Sequence, residues 1–223
     1  MRWGIVLLVG LAGCPGPAPS DDAPVDMAPP QSATLHVTWN PRPDVLPGDV
    51  NSSISVDRVT FGIDSLRVVG DAGPGDPRTS IDHLKLEWDS SDKPDAITFD
   101  NAPPGLYSRM EWLLDTRNLL REDDPIYVFE IVGDVDISGS DEKFRLRETA
   151  QLPISFDIQA DLLPPNDATI DVRVDVERIV TAVDFESLPK VDGERLLDHG
   201  DPQMPAIRAK VVEAFSKDDS ATR

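Results

Sequence analysis

Apolar and polar residues alternate along much of this chain, and that alternation constrains the fold more than any other feature. It is clearest in segments 35–39, 84–88, 152–158 and 170–176. A period of two places alternate side chains on opposite faces of a β-strand, so each segment has one buried face and one wet face. Strands of this kind are typical of antiparallel sheets. We therefore predict an all-β chain that folds as an antiparallel β-sandwich.

Segment 54–69 departs from this regular pattern. Its apolar residues change phase between Val56 and Val59 and again between Ile63 and Leu66. A continuous strand would turn its core side chains outward at each change of phase, so we expect β-bulges near Arg58 and Asp64.

Helical spacing replaces the alternation towards the end of the chain. Asp201 and Pro202 are suited to a helix start, and three apolar residues at helical spacing follow them: Ile207, Val211 and Phe215. A shorter helical turn is expected around Ile179 and Val180. The predicted fold is thus a β-sandwich with a short C-terminal helix.

The first residues have the composition of an export leader. Arg2 precedes an apolar run from Trp3 to Leu11 that is shorter than the about 20 residues of a membrane span. The leader ends in Leu11-Ala12-Gly13-Cys14, which resembles the lipobox of bacterial lipoproteins. The resemblance implies that residues 1–13 are a signal peptide and that Cys14 is lipidated.

Proline dominates the segment after Cys14. Residues 15–32 contain six prolines and almost nothing apolar, so they cannot bury enough surface to fold. We predict a disordered linker over 14–32, one sandwich domain over 33–216 and a flexible tail over 217–223. Pro15, rather than Asp, follows the cysteine, and by resemblance to lipoprotein sorting in enteric bacteria this implies the outer membrane.

Charge and cysteine content narrow the function classes. The chain has 21 Lys and Arg against 41 Asp and Glu, a net charge of −20, with one cysteine. Phosphate backbones repel such a surface, so we expect no nucleic-acid partner. One cysteine cannot form an internal disulfide, so the packed core has to stabilise the domain.

A short passage at 99–107, Phe-Asp-Asn-Ala-Pro-Pro-Gly-Leu-Tyr, resembles the "F-x-x-x-x-P-G-x-Y" passage of transthyretin-like (prealbumin-like) sandwich domains. The resemblance implies a Greek-key sandwich of the bacterial envelope. Pro104-Gly105 suits a type II turn, and we expect it to form a hairpin from which Tyr107 opens the next strand with its ring over the core.

A second resemblance is to the MbnP-like copper-binding periplasmic proteins, carried by the strand 170–176, the turn 178–180 and the terminal helix. It implies a copper site built from histidines. The chain offers His36, His83 and His199, with no H-x-H or H-x₃-H pair. His36 and His83 would bind copper if they were adjacent across strands; otherwise they face water.

Asp134, Asp136 and Ser138, with Gly139, match the opening of an EF-hand calcium loop. The twelfth position is Arg145 instead of a bidentate glutamate, so the alternative is a hairpin turn at Ser138-Gly139 with solvated carboxylates. Asp198, His199 and Asp201 form a second oxygen-rich segment, which helix capping explains without a cation.

No pattern in the chain indicates catalysis. There is no G-x-S-x-G elbow, the cysteine is expected to be lipidated, and the phase of Trp39, Trp88 and Trp112 predicts core packing. We expect a noncatalytic binding or structural module, held to the membrane by its lipid, without a cofactor. Its partner would be an envelope protein or a small ligand, bound by loops 41–52, 71–80 and 118–125. The alternative is a periplasmic lipoprotein that binds copper or calcium.

Overall fold

The architecture consists of two β-sheets packed face to face, together with two short helices. The computed structural model describes residues 33–71, 77–116 and 127–218. The predicted leader, Cys14 and the linker therefore lie outside the described residues, as does the predicted binding loop at 118–125.

Fourteen strands and two helices make up the described chain. The strands are β1 (Ala33–Arg42), β2 (Gly48–Asp49), β3 (Ile54–Gly70), β4 (Pro77–Ile81), β5 (Leu84–Trp88), β6 (Ile97–Ala102), β7 (Gly105–Leu114), β8 (Phe129–Ile137), β9 (Ser140–Glu148), β10 (Leu152–Leu162), β11 (Ala168–Asp175), β12 (Lys190–Val191), β13 (Glu194–Leu197) and β14 (Phe215–Lys217). The helices are α1 (Val176–Val180) and α2 (Met204–Ala214), with a 3-10 turn at Phe185–Ser187.

The smaller sheet has four strands in the order β14-β11-β1-β6, and the larger sheet has ten. In the larger sheet the order is β10-β7-β3-β8-β9-β13-β12, and β2, β4 and β5 also pair with β3. The predicted all-β sandwich with a short C-terminal helix is confirmed. Most strand pairs are antiparallel, but β1 pairs with β11, and β9 with β13, in parallel. The alternation in the sequence specifies which face is buried and says nothing about the direction of the neighbouring strand.

The long strand β3 connects the two parts of the larger sheet. Its first half pairs with β8 and its second half with β7. The two parts meet at Gly62, whose N–H donates to the Val128 carbonyl at 3.0 Å and whose carbonyl accepts from the Asp115 N–H at 3.0 Å. Register shifts fall between Val56 and Arg58 and between Asp64 and Arg67, which confirms both predicted bulges.

The core lies between the two sheets. Trp39 of β1 meets Trp112 of β7 edge to face at 5.9 Å between ring centroids, and Phe215 of β14 meets Trp112 at 5.2 Å. These contacts join the smaller sheet to the larger one. Trp39, Trp88 and Trp112 are 6%, 2% and 3% exposed, which confirms the prediction that they pack in the core.

The passage at Pro104-Gly105 is not the hairpin that we expected. The strands on either side of it, β6 and β7, belong to different sheets, so this passage carries the chain across the sandwich. Gly105 has a φ of 141°, which glycine adopts readily. Tyr107 is fully buried as expected, and its hydroxyl donates to the Pro103 carbonyl at 2.7 Å.

The last described residues, up to Asp218, include a strand that the sequence analysis did not predict. Helix α2 begins at Met204, and the Asp201 carboxylate accepts from the Gln203 N–H at 2.8 Å just before it. Phe215 follows the helix and opens β14. Lys217, assigned to the flexible tail, belongs to β14, and Asp218 is buried against Arg173 at 2.7 Å.

Candidate functional site

The residues of the candidate calcium loop lie at the end of the β8–β9 hairpin. Ser138 and Gly139 have φ values of 56° and 82°, as in a two-residue type I′ turn. The Asp136 carboxylate accepts from the Gly139 N–H at 2.7 Å. Both oxygens of Asp134 accept from the Lys143 ammonium, at 3.0 and 2.9 Å. Lys143 is therefore paired with Asp134, the carboxylate that would be the first ligand of a calcium loop.

The two histidines of the candidate copper site belong to different parts of the sandwich: one lies in the smaller sheet, and the other connects two strands of the larger sheet. His36 is on β1 of the smaller sheet, and its Nδ1 lies 3.3 Å from the Thr98 hydroxyl on β6. His83 lies in the turn between β4 and β5, not within a strand as the alternation suggested, and has a φ of 61°. Its Nδ1 is 3.5 Å from Asp64. Across the described residues, no three His, Cys, Asp or Glu side chains form a group that could hold a metal ion.

The most enclosed charged group of the described chain is Glu148, at the end of β9. The residue has no exposed surface. One carboxylate oxygen accepts from the backbone N–H groups of Thr149 and Ala150 at 2.6 and 2.7 Å and lies 2.5 Å from Nδ1 of His199. The other oxygen accepts from Nε of Arg208 at 2.5 Å. Four donors therefore surround one carboxylate.

The donors around Glu148 determine its protonation state. Burial acts to raise the pKa of Glu148, but the hydrogen bonds from Arg208, Ala150, His199 and Thr149 together outweigh it and lower the pKa from 4.5 to about 2. The carboxylate is thus ionised at neutral pH and accepts from every neighbour. His199 donates from Nδ1, because an ionised carboxylate can only accept.

The Glu148 cluster (Glu148, His199, Arg208 and the N–H groups of Thr149 and Ala150) joins three separate parts of the fold. Glu148 ends β9, His199 precedes α2, and Arg208 lies within α2. A general base must come within hydrogen-bond reach of a substrate, and the Glu148 carboxylate has no exposed surface and is bonded to protein donors through both oxygens. The arrangement therefore fixes the C-terminal helix on the larger sheet.

Charged side chains on the outer face of β8, β9 and β13 are also paired with one another. Glu130 accepts from Arg58 at 2.7 Å and from Arg145 at 3.1 Å, and Arg145 donates to Glu194 at 2.9 Å. Arg147 stacks over Tyr127, with its guanidinium carbon 5.0 Å from the ring centroid. The guanidinium groups of Arg58 and Arg145 are thus paired with carboxylates on this face.

An open groove separates the free edges of the two sheets. We call it the edge groove and define it by β4 and β5 on one side, β6 on the other, and the loop 89–96 at one end. It consists of two hollows of about 480 and 520 Å³, which share Ile81 and Thr98 in their linings. The two histidines of the candidate copper site lie near the residues that the two hollows share. His36 contacts Thr98, and His83 follows Ile81 by two positions.

The sequence analysis did not identify the Glu148 cluster or the edge groove. The sequence did contain a signal for the Glu148 cluster. Glu148 lies two positions after Leu146 and four after Phe144, and so on the same, buried face of strand β9. An acidic residue at a buried position of an alternating strand requires partners. No comparable signal marked the groove, because β4, β5 and β6 are brought together by the packing of the two sheets.

Comparison with known proteins did not place the chain in a family. No family model, curated protein or solved structure matches it. Within the described ranges, no helix is both long and apolar enough to cross a membrane.

Proposed function

We propose that this protein is a lipid-anchored lipoprotein of the cell envelope that acts as a noncatalytic binding or structural module. Leu11-Ala12-Gly13-Cys14 supports the anchor, because it combines a short apolar leader with a single cysteine at its end. The proline-rich residues 15–32 support a tether between the lipid and the sandwich. The absence of Asp after Cys14 favours the outer membrane.

The state of Glu148 supports a noncatalytic role. A buried carboxylate with an altered pKa is the kind of group that commonly performs acid or base chemistry. Here all four of its donors come from the protein itself, and they join β9 to α2. The group thus has a structural role that accounts for its burial and its low pKa.

The edge groove is the observation that carries the binding role. It consists of two adjoining hollows of about 480 and 520 Å³. Among the described strands, the edges that line it make ladder hydrogen bonds on one side only. Of the segment 71–80, which we expected to be a binding loop, Thr79 and Ser80 line one of its hollows. Both residues belong to strand β4 and not to a loop. Binding on a sheet edge differs from loop binding in that backbone groups take part.

Metabolic labelling with a palmitate analogue tests the anchor. In a bacterial host that processes lipoproteins, the native chain should be labelled and should fractionate with membranes. Cys14→Ser should lose the label, because the thiol that carries the lipid is absent. Asp22→Asn, a change within the predicted linker, serves as the matched control and should be labelled like the native chain. Unchanged labelling of Cys14→Ser would contradict the proposed anchor.

A further inference from the structure

The strands that border the edge groove have unpaired edges. Among the described strands, β6 pairs with β1 alone, and β4 and β5 pair with β3 alone. The backbone groups on their outer edges are therefore open to another extended chain. An exposed strand edge is a template for strand addition, and native proteins usually cover it or protect it with charge.

The floor of the edge groove is apolar. Ile81 and Leu84 are half-buried and pack on the core, and Leu86, which lines the same hollow, is fully buried. Ile97 and Phe99 of β6 face inward on the opposite side. Alternate side chains of an added strand would thus meet an apolar surface, and the remaining ones would face the rim.

The rim of the edge groove is acidic. Asp92, Asp95 and Asp100 line it and are exposed, against the one exposed cation Lys93. Lys85 is already paired with Glu87 at 2.8 Å. The charge of the described rim is therefore net negative, and a partner that lies along it is favoured if it carries positive charge.

We propose that the edge groove binds an extended, basic segment of a partner protein, which adds as a strand to the free edge of β6. The segment alternates apolar residues, which face Ile81 and Leu84, with Lys or Arg residues, which face Asp95 and Asp100. A length of six residues matches β6 (Ile97–Ala102). Pairing of two copies through the same edges is disfavoured, because each chain carries a net charge of −20.

This inference rests on the proposed binding role, and a selection from a random peptide library tests it. The full mature chain would be immobilised through its anchor, and the enriched peptides would be measured by fluorescence anisotropy. We expect enriched sequences with basic and apolar residues in alternation. N-methylation of alternate backbone nitrogens should abolish their binding, because strand addition requires those N–H groups.

Two matched variants separate the groove from general charge attraction. Asp95→Lys combined with Asp100→Lys reverses the rim and should weaken binding by about tenfold or more. Asp157→Lys combined with Asp161→Lys makes the same change in net charge on exposed positions of β10 and should leave binding within about twofold. Ala96→Trp, at an exposed residue that lines the groove, should block binding without a change in the core.

Several results would overturn the inference. These are a selection without enrichment, enriched peptides that are acidic or insensitive to N-methylation, equal losses in the two charge variants, and binding that survives Ala96→Trp. Palmitate labelling is independent of this experiment. If labelling succeeds and the selection fails, the anchor stands and strand addition at the edge groove is wrong.

Discussion

At Glu148, one carboxylate with no exposed surface is stabilised by four hydrogen-bond donors. Burial of an ionised group is costly unless the group is paired and hydrogen-bonded, and this cluster supplies Glu148 with two backbone and two side-chain donors. Two of the donors, from His199 and Arg208, come from the C-terminal part of the chain. The burial of the ionised Glu148 carboxylate therefore depends on the position of helix α2.

Glu148→Gln should destabilise the domain at neutral pH. The amide carries one oxygen and one NH₂ group, so either orientation directs a donor at Arg208 or at the backbone N–H groups. The pKa of Glu148 is lowered to about 2, and a shift of this size corresponds to about 3 kcal/mol of unfolding free energy at pH 7. Urea denaturation of both proteins at pH 7 would measure the difference.

The same pKa determines how that difference depends on pH. Because the folded-state pKa of Glu148 lies below its ordinary value of 4.5, its contribution is fully present above that value and is lost as the pH falls towards 2. The difference in unfolding free energy between the native protein and Glu148→Gln should therefore decrease below pH 4.5. Glu213→Gln, which removes an exposed carboxylate of α2, is the control and should have little effect. A gap that is constant with pH would contradict this account of Glu148.

Among the elements, the central strand β3 of the larger sheet has an irregular backbone at Asp64 and Ser65, which we call its bend. Ser65 has a φ of 55°. His83, which lies between the neighbouring strands β4 and β5, has a φ of 61°. Asp64 is buried and lies 3.5 Å from the His83 ring. The change of partner from β8 to β7 falls at Gly62, two residues before this bend. The bend itself coincides with the register shift of β3 on β7 between Asp64 and Arg67.

Ser65→Gly should stabilise the domain by about 0.5–1 kcal/mol. A non-glycine residue at positive φ is strained, and glycine relieves that strain at some cost in the entropy of the unfolded chain. Ser80→Gly, at an exposed position in β4, is the matched control and should destabilise by about 0.5–1 kcal/mol, since it brings only the entropic cost. Thermal melts would compare the two variants. Changes of the same sign would argue against a strained bend at Ser65.

For the molecule as a whole, aromatic side chains link the two sheets. Phe215 lies 5.2 Å from Trp112 and 5.1 Å from Phe61, both in the larger sheet, and is 4% exposed. It belongs to β14, the last strand of the described chain. The C-terminal segment thus completes the core and closes one edge of the smaller sheet.

Phe215→Ala should lower the unfolding free energy by about 3–5 kcal/mol, because it removes a buried ring and leaves a cavity between the sheets. Phe215→Leu should fall between this variant and the native protein. Val191→Ala, at a residue that is 44% exposed, is the control and should change stability by less than about 0.5 kcal/mol. Chemical denaturation would measure all three. A native-like stability of Phe215→Ala would show that β14 is dispensable for the core.

Calcium should not stabilise the whole domain. A calcium ion takes about six to eight oxygen ligands, and the Asp134 oxygens are already bound by Lys143. Melting temperatures with excess calcium chloride and with EDTA should therefore agree, and metal analysis of protein purified without chelator should find no stoichiometric calcium or copper. A calcium-dependent rise in the melting temperature that Asp134→Asn abolishes would contradict this expectation.

The sequence by itself determined the long strands, the bulges of β3 and the buried faces, because each depends on which alternate residues along one strand are apolar. It did not predict the short strand β4, which lies within a segment that we expected to be a loop. The period of two predicted the inward ring of Trp112, and its two changes of phase predicted the irregularities of β3 near Arg58 and Asp64. The change to helical spacing likewise predicted α2 to within a few residues.

Only the tertiary structure decided which strands became neighbours and which charges met. The parallel pairing of β1 with β11, the crossing from β6 to β7 at Pro104-Gly105, and the edge groove depend on contacts between distant segments. Glu148 and Arg208 are 60 positions apart. The alternation along β9 could show that Glu148 is a buried charge in need of partners, but it could not identify Arg208 as one of them. Local pattern fixes the face on which a side chain lies, but its partner across the sandwich is chosen by the packing of the whole chain.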